Sequence, residues 1–180
     1  MIKKYIYLPV YTLALMSCGS NDSEGLEETQ SSVNLDEAAI SAGILPDPDN
    51  VKLEGRFETR SDIGTDKFCA IADGSDYKVG ILAVFGADSK CEGRGVAQYE
   101  GEQVNIKLNQ NAKGDLEEEC EFTASYDGIS LQLPGDLPQS CAKVCNNRAS
   151  LAGTQYYLAE EGNDAARQSN GNKIKPLCQG

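Results

Sequence analysis

The stretch that decides the fold is residues 120–133, which reads CEFTASYDGISLQL. Its apolar residues occupy every second position up to Tyr126, and do so again over residues 129–133. Such alternation is typical of strands with one buried face, because successive side chains of a strand point to opposite faces. Between the two runs, Asp127 and Gly128 tolerate the positive φ angles of a tight hairpin turn. The stretch therefore predicts two antiparallel strands joined by a hairpin.

The same period of two continues on both sides of this stretch. Residues 104–108 alternate in the same way, and Glu100-Gly101 is typical of a turn before them. In residues 77–85, apolar side chains occupy odd- and even-numbered positions alike. This pattern predicts a strand that is buried on both of its faces. We predict strands near residues 52–58, 66–72, 76–85, 93–99, 103–109, 118–126, 128–133 and 154–158.

Short strands with frequent turns predict a mainly β domain, either an antiparallel β-sandwich or a small β-barrel. Leu53-Glu54-Gly55-Arg56-Phe57 resembles the Leu-x-Gly-x-aromatic first strand of lipocalin-like barrels, a resemblance that implies a carrier for a small apolar ligand. Before the domain, Leu35, Ala38, Ala39 and Ala42 share one helical face, so we expect a short N-terminal helix that Asn34 caps and Gly43 ends.

Six cysteines follow residue 50, and their even number in an exported chain predicts three disulfides. The spacing leaves about 15 pairings open. A bridge from Cys178 would tie down the C-terminal tail, where the polar residues 159–175 predict a loop or mobile segment. Residues 141–145 fit one helical turn. The disulfide candidates are Cys69, Cys91, Cys120, Cys141, Cys145 and Cys178.

The N-terminus has the pattern of an export signal. Lys3 and Lys4 precede an uncharged, mainly apolar run over residues 5–16, which is too short to cross a bilayer as a helix. The next feature, Leu15-Met16-Ser17-Cys18, resembles the lipobox of bacterial lipoproteins. That resemblance implies cleavage before Cys18 and acyl chains on this cysteine. Two or three acyl chains hold a protein stably on a membrane.

The resemblance also implies a location. Gly19 follows Cys18, whereas an Asp there retains lipoproteins at the inner membrane of well-studied diderm bacteria. We therefore expect an outer-membrane lipoprotein that faces the periplasm. The predicted organisation is a signal peptide (1–17), an acylated cysteine with a flexible tether and short helix (18–50), and a disulfide-stabilised β domain (51–180).

The charge restricts the partners. The chain carries a net charge of −12, and removing the signal, with Lys3 and Lys4 and no acid, makes it more negative. No basic stripe is visible in the sequence, so nucleic acid is not an expected partner. The acidity favours solubility, or attraction of a basic partner.

The chain contains no histidine, which excludes Ser-His-Asp and Cys-His nucleophile systems and mixed Cys/His zinc sites. Cys141 and Cys145 lack the spacing of a redox dithiol. The carboxylates of residues 117–119, and Asp47 and Asp49, are sequence neighbours, whereas a glycosidase needs two that face each other across a cleft. We therefore predict no catalytic residues, no metal site and no cofactor.

The leading hypothesis is a non-catalytic envelope protein, anchored to the membrane through Cys18, whose β domain binds another envelope protein or has a structural role. Three alternatives remain: an inhibitor of a cationic enzyme such as lysozyme, a lipocalin-like carrier, and a carboxylate-dependent hydrolase. The carrier requires an interior that is not filled with side chains, and the hydrolase requires two buried, facing carboxylates.

Overall fold

A computed structural model describes residues 35, 37–44, 47 and 50–179. Eight antiparallel strands, each paired with its neighbours in sequence, form a closed barrel in which the last strand pairs with the first. The mainly β fold is confirmed, and of the two architectures it is the barrel. The strands are β1 (Gly55–Ser61), β2 (Gly64–Asp73), β3 (Asp76–Val84), β4 (Lys90–Glu100), β5 (Gln103–Asn111), β6 (Gly114–Tyr126), β7 (Ser130–Gln132) and β8 (Gln155–Glu161).

All eight predicted strands are present, with boundaries that differ by a few residues. β1 begins at Gly55 because the preceding segment crosses the end of the barrel. There Leu53 is fully buried, and the Lys52 carbonyl accepts a 3.0 Å hydrogen bond from the Tyr126 hydroxyl. The Tyr126 hydroxyl lies 2.9 Å from the Gly128 carbonyl oxygen as well. Burial raises the pKa of Tyr126, which keeps this hydroxyl protonated as a donor.

Side chains fill the barrel interior. Inward residues of β5 and β6 alternate with exposed ones, as the period of two predicts. Phe57 is the centre of an aromatic cluster, with its ring centroid 5.5 Å from that of Phe68 and 5.7 Å from that of Tyr126. Both contacts are edge-to-face, which is a favourable geometry for aromatic rings. Each fully buried large side chain contributes roughly 1.5–3 kcal/mol to the free energy of folding.

The turns confirm two predicted hairpins and correct the form of one. Gly101, at φ +62°, lies in the two-residue turn between β4 and β5. The hairpin between β6 and β7 has a three-residue loop, residues 127–129, in which the Asp127 carboxylate accepts hydrogen bonds from the backbone N–H groups of Ile129 and Ser130. Partial burial opposes ionisation of Asp127, but these bonds outweigh it and lower its pKa. Ile129 is 52% exposed, so it is not a strand residue of the core.

A second apolar cluster lies on the outside of the barrel, over β2 and β3. This cluster explains why residues 79–83 are buried on both faces of β3, as predicted. Leu177 and Cys178 from the C-terminal segment cover this face, and the Cys69–Cys178 disulfide links the segment to β2. The close approach requires Gly80, because a Cβ there would lie 2.8 Å from Leu177 Cγ and still closer to the Leu177 carbonyl oxygen.

The prediction of a loop or mobile tail over residues 159–175 is wrong in part. β8 continues to Glu161, and a short helix occupies Asn163–Arg167. The segment that follows is held against the barrel by Arg94, whose guanidinium donates to the carbonyl groups of Pro176 and Leu177. The mainly polar composition concealed this structure, because the few apolar residues that pack on the barrel, such as Ala166 and Ile174, show no regular spacing.

The short N-terminal helix is present among the described residues: residues 35 and 37–41 are helical. Gly43, at φ +69°, follows the helix, as expected of a glycine that ends one. Asn34, the predicted cap, lies outside the described residues, as do the signal segment, Cys18 and the predicted tether.

The barrel has two different ends. Residues 50–54 reach β1 at one end, here called the N-terminal end, where the turns β2–β3, β4–β5 and β6–β7 also lie. The opposite end, here called the loop end, carries the other three turns and the long connection of residues 133–154 between β7 and β8. A 3₁₀ helix, Gln139–Val144, lies within that connection.

Replacing Gly80 with Ala tests the contact between the barrel and the C-terminal segment. We expect Gly80→Ala to lower the free energy of unfolding by about 1–3 kcal/mol, because the added methyl group must displace the Leu177 backbone. Urea denaturation of the oxidised protein measures it. Gly135→Ala is the control, since a Cβ there meets no atom within 4 Å. Equal stability of the two variants would contradict the close approach at Gly80.

Candidate functional site

The six predicted cysteines form three disulfides, as expected. The pairs are Cys69–Cys178, Cys91–Cys145 and Cys120–Cys141. The first pair joins the C-terminal segment to β2, and the other two join the 133–154 connection to β4 and β6. This pairing follows from the topology of the barrel, which the spacing of the cysteines did not reveal.

Two disulfides hold the 133–154 connection across the loop end. Cys141 lies in the 3₁₀ helix, as the predicted helical turn requires, and Cys145 follows the helix directly. Val144 and Leu151 point into the barrel core from this connection, with exposed fractions of 4% and 1%. The connection therefore closes the loop end as a packed cover with an ordered outer surface.

Hydrogen bonds add to this order at the edge of the cover. Asn146 and Lys90 exchange two bonds, one from Asn146 N to the Lys90 carbonyl at 2.9 Å and one from Lys90 N to Asn146 Oδ1 at 2.8 Å. Asn147 Nδ2 donates to the Asp88 carbonyl at 2.7 Å. Asn147 and Arg148 have positive φ angles of 46° and 62°, so the chain turns sharply here.

Glu92, on β4 beside the Cys91–Cys145 disulfide, is 4% exposed. Its carboxylate accepts bonds of 2.9 and 3.0 Å from the Lys173 backbone N–H, and one of 2.9 Å from the Ile174 N–H. Gly171 leaves space for this carboxylate, since a Cβ there would overlap Glu92 Oε1. A buried acid in this position holds the C-terminal segment at the loop end.

A small cavity lies between these elements. Its volume is about 70 Å³, and Glu92 and Cys145 form part of its wall. Four lysines also line it, each from a different chain segment: Lys90, Lys113, Lys143 and Lys173. We call this feature the lysine pocket. Sequence reasoning found no basic stripe and missed it, because the four residues are far apart in the chain and their approach depends on the disulfides and the tertiary fold.

The carboxylates singled out in the sequence are not brought together. Glu117, Glu118 and Glu119 are exposed on β6, where Glu119 and Glu121 share an ion pair with Lys107 at 3.5 and 3.4 Å. Asp49 lies outside the described residues. Within the part of the chain that the structure describes, no three His, Cys, Asp or Glu side chains are grouped to hold a metal ion.

A larger cavity, of about 460 Å³, lies at the N-terminal end. Asp47, Glu54 and Glu161 contribute carboxylates to it, and the backbone around Gly128 and Gly162 completes the wall. It is open and polar, in contrast to the mainly apolar lining of most small-molecule sites.

The paired tyrosines behave as predicted for neighbours on a strand. Tyr156 is fully buried inside the barrel, and Tyr157 on the opposite face is 47% exposed. Burial raises the pKa of Tyr156, so this hydroxyl remains neutral in the core. Only Tyr157 of the pair is available for an outside contact.

No family model, curated protein or solved structure matches this chain. None of the helices among the described residues is long and apolar enough to span a membrane. Any functional assignment must therefore come from the chemistry of the chain itself.

Glu92→Ala tests the role of the buried carboxylate. We expect a loss of about 2–3 kcal/mol in the free energy of unfolding, because the N–H groups of Lys173 and Ile174 lose a charged acceptor. Hydrogen exchange at these two amides should also become faster. Glu102→Ala, in the exposed β4–β5 turn, is the control and should change stability by less than about 0.5 kcal/mol. Unchanged exchange in Glu92→Ala would contradict this role.

Proposed function

We propose that this chain is a lipid-anchored cell-envelope protein whose β domain binds another envelope protein, or supports an envelope complex, without catalysing a reaction. The observation that carries the proposal is the disulfide-held cover of residues 133–154 on the loop end. A preordered surface loses little conformational entropy on binding, and loops on a rigid scaffold are common sites of recognition.

The direction of the chain supports the loop end as the binding surface. Acylation of Cys18 would attach the domain through residues 50–54, which reach the barrel at its N-terminal end. The loop end is then the part of the domain farthest from the anchor. With Gly19 after the acylated cysteine, the favoured location is the outer membrane, with the domain in the periplasm.

A second candidate function is inhibition of a cationic enzyme such as lysozyme. The exposed glutamates of β6 favour it, because Glu117, Glu118, Glu119 and Glu121 concentrate negative charge along one strand. Within the described part of the chain, Lys107 is the one cation that forms salt bridges with this strand, and its partners are Glu119 and Glu121. Complementary charge accelerates association with a basic partner.

The two remaining alternatives receive less support. A carrier needs space inside the barrel, yet the inward side chains of its core are at most 7% exposed and in mutual contact. A carboxylate hydrolase needs two facing buried acids. Among the described residues Glu92 is the only buried acid, and backbone N–H groups occupy its oxygens.

Cys18→Ala tests the anchor. We expect this variant to lose incorporation of radiolabelled palmitate, because the thiol that would carry the acyl chains is gone. It should also leave the membrane fraction on alkaline extraction. Ser20→Ala, two positions beyond the cysteine, is the control and should retain both properties. Equal palmitate labelling of the two variants would exclude acylation at Cys18.

Site-specific photo-crosslinking in the native cell tests the binding surface. A photoreactive amino acid replaces Gln139 on the loop end, and in a matched variant it replaces Ser75 in the β2–β3 turn at the N-terminal end. Both positions are exposed. We expect one envelope protein to be crosslinked reproducibly through position 139 and not through position 75.

Mass spectrometry of the crosslinked product distinguishes the two candidate functions. An envelope protein without enzymatic activity supports the leading proposal, whereas a cationic hydrolase that loses activity in the complex supports the inhibitor. Products of equal yield from both positions, or none from position 139, would contradict the loop end as the binding surface.

A further inference from the structure

The lysine pocket is unusual for so acidic a chain. The sequence has 28 acidic and 16 basic residues, yet four of the basic residues line one cavity. Lys113, Lys143 and Lys173 are exposed, and Lys90 is half-buried. Several positive charges around one cavity favour the binding of an anion there.

The described chain does not supply that anion as an ion pair. Salt bridges of 2.9 to 3.5 Å involve five other cations, namely Arg56, Arg60, Lys78, Lys107 and Arg167. No ion pair in the described residues includes any of the four pocket lysines. The one acid in the pocket wall, Glu92, directs its oxygens to backbone N–H groups.

The backbone of each pocket lysine is held by another residue of the same wall. Asn111 accepts from Lys113 N at 2.7 Å through Oδ1, and its Nδ2 donates to the Lys143 carbonyl at 2.8 Å. Asn146 accepts from Lys90 N at 2.8 Å, and Glu92 accepts from Lys173 N at 2.9 Å.

The Cys91–Cys145 disulfide joins two of the four segments directly. The pocket lysines are thus placed on a fixed frame before any ligand arrives, which reduces the entropic cost of binding.

We infer that the lysine pocket binds a phosphate group of a ligand or partner at the loop end. A phosphate monoester carries about −1.5 to −2 charges near neutral pH and three acceptor oxygens, so it can engage several ammonium groups at once. A carboxylate carries one charge and fits four lysines less well. The volume of about 70 Å³ suits one such group and is much smaller than a site for a drug-sized molecule.

This inference rests on the proposed use of the loop end for binding, and it names the chemistry recognised there. The phosphate can belong to a soluble ester or to a lipid headgroup on an opposing membrane. The protein's own membrane is disfavoured as the source, because the chain reaches the barrel at the N-terminal end, away from the pocket.

Equilibrium dialysis with radiolabelled inorganic phosphate tests the pocket. The full-length, oxidised chain is reconstituted into phosphatidylcholine vesicles, with empty vesicles as the background, in a buffer of low ionic strength. The variant Lys113→Gln/Lys143→Gln should bind phosphate roughly tenfold more weakly than the parent protein. Lys52→Gln/Lys175→Gln removes the same charge outside the pocket and should change binding less than about twofold.

A second measurement identifies the source of the phosphate. Vesicles of phosphatidylglycerol are added to the loaded phosphatidylcholine vesicles, and light scattering reports tethering. Tethering that requires Lys113 and Lys143 supports a lipid headgroup, and phosphate binding without tethering supports a soluble ester. Acetate should not displace phosphate at equal concentration.

Two results would overturn the inference: no phosphate bound to the parent protein above the empty vesicles, or equal weakening in both double variants. If phosphate fails to bind while position 139 still crosslinks one envelope protein, only the inference about the pocket is wrong. If the crosslinking fails as well, the proposed function falls with it.

Discussion

The pairing of β8 with β1 is the constraint on which the rest of the structure depends. It closes the sheet, removes both sheet edges and encloses a space that only side chains of the eight strands and the segments at the two ends can fill. Phe68 on β2 and Tyr156 on β8 meet inside, with ring centroids 6.1 Å apart, because this closure brings β8, β1 and β2 around one centre. The buried Leu53 before β1 and the Val144 side chain in the cover complete the core at opposite ends.

The strands could be predicted from the sequence because alternating burial is a local property, as residues 104–108 illustrate. Contacts between distant segments could not. The partner of Cys69 is Cys178, 109 residues away, and only the fold of the C-terminal segment brings the two together. That segment escaped prediction because Glu92 and Arg94 bind its backbone, and its few buried apolar side chains show no regular spacing. The lysine pocket was missed for the same reason, since its four members share no local pattern.

The three disulfides fix two different segments to the barrel. One covers the outside of β2 and β3 with the C-terminal segment, whereas the other two hold the cover on the loop end. The connections at the loop end lie on the rigid barrel. Loops held on a rigid scaffold are where binding residues are commonly found.

β1 is the first strand after residues 50–54, and it is hydrogen-bonded on both sides, to β2 and to β8. A pull on the N-terminal segment therefore loads β1 along its own axis. In this shear geometry the backbone bonds of two ladders resist together, whereas a strand peeled from an edge loses its bonds one by one. The barrel is thus joined to its leading segment at a mechanically strong strand.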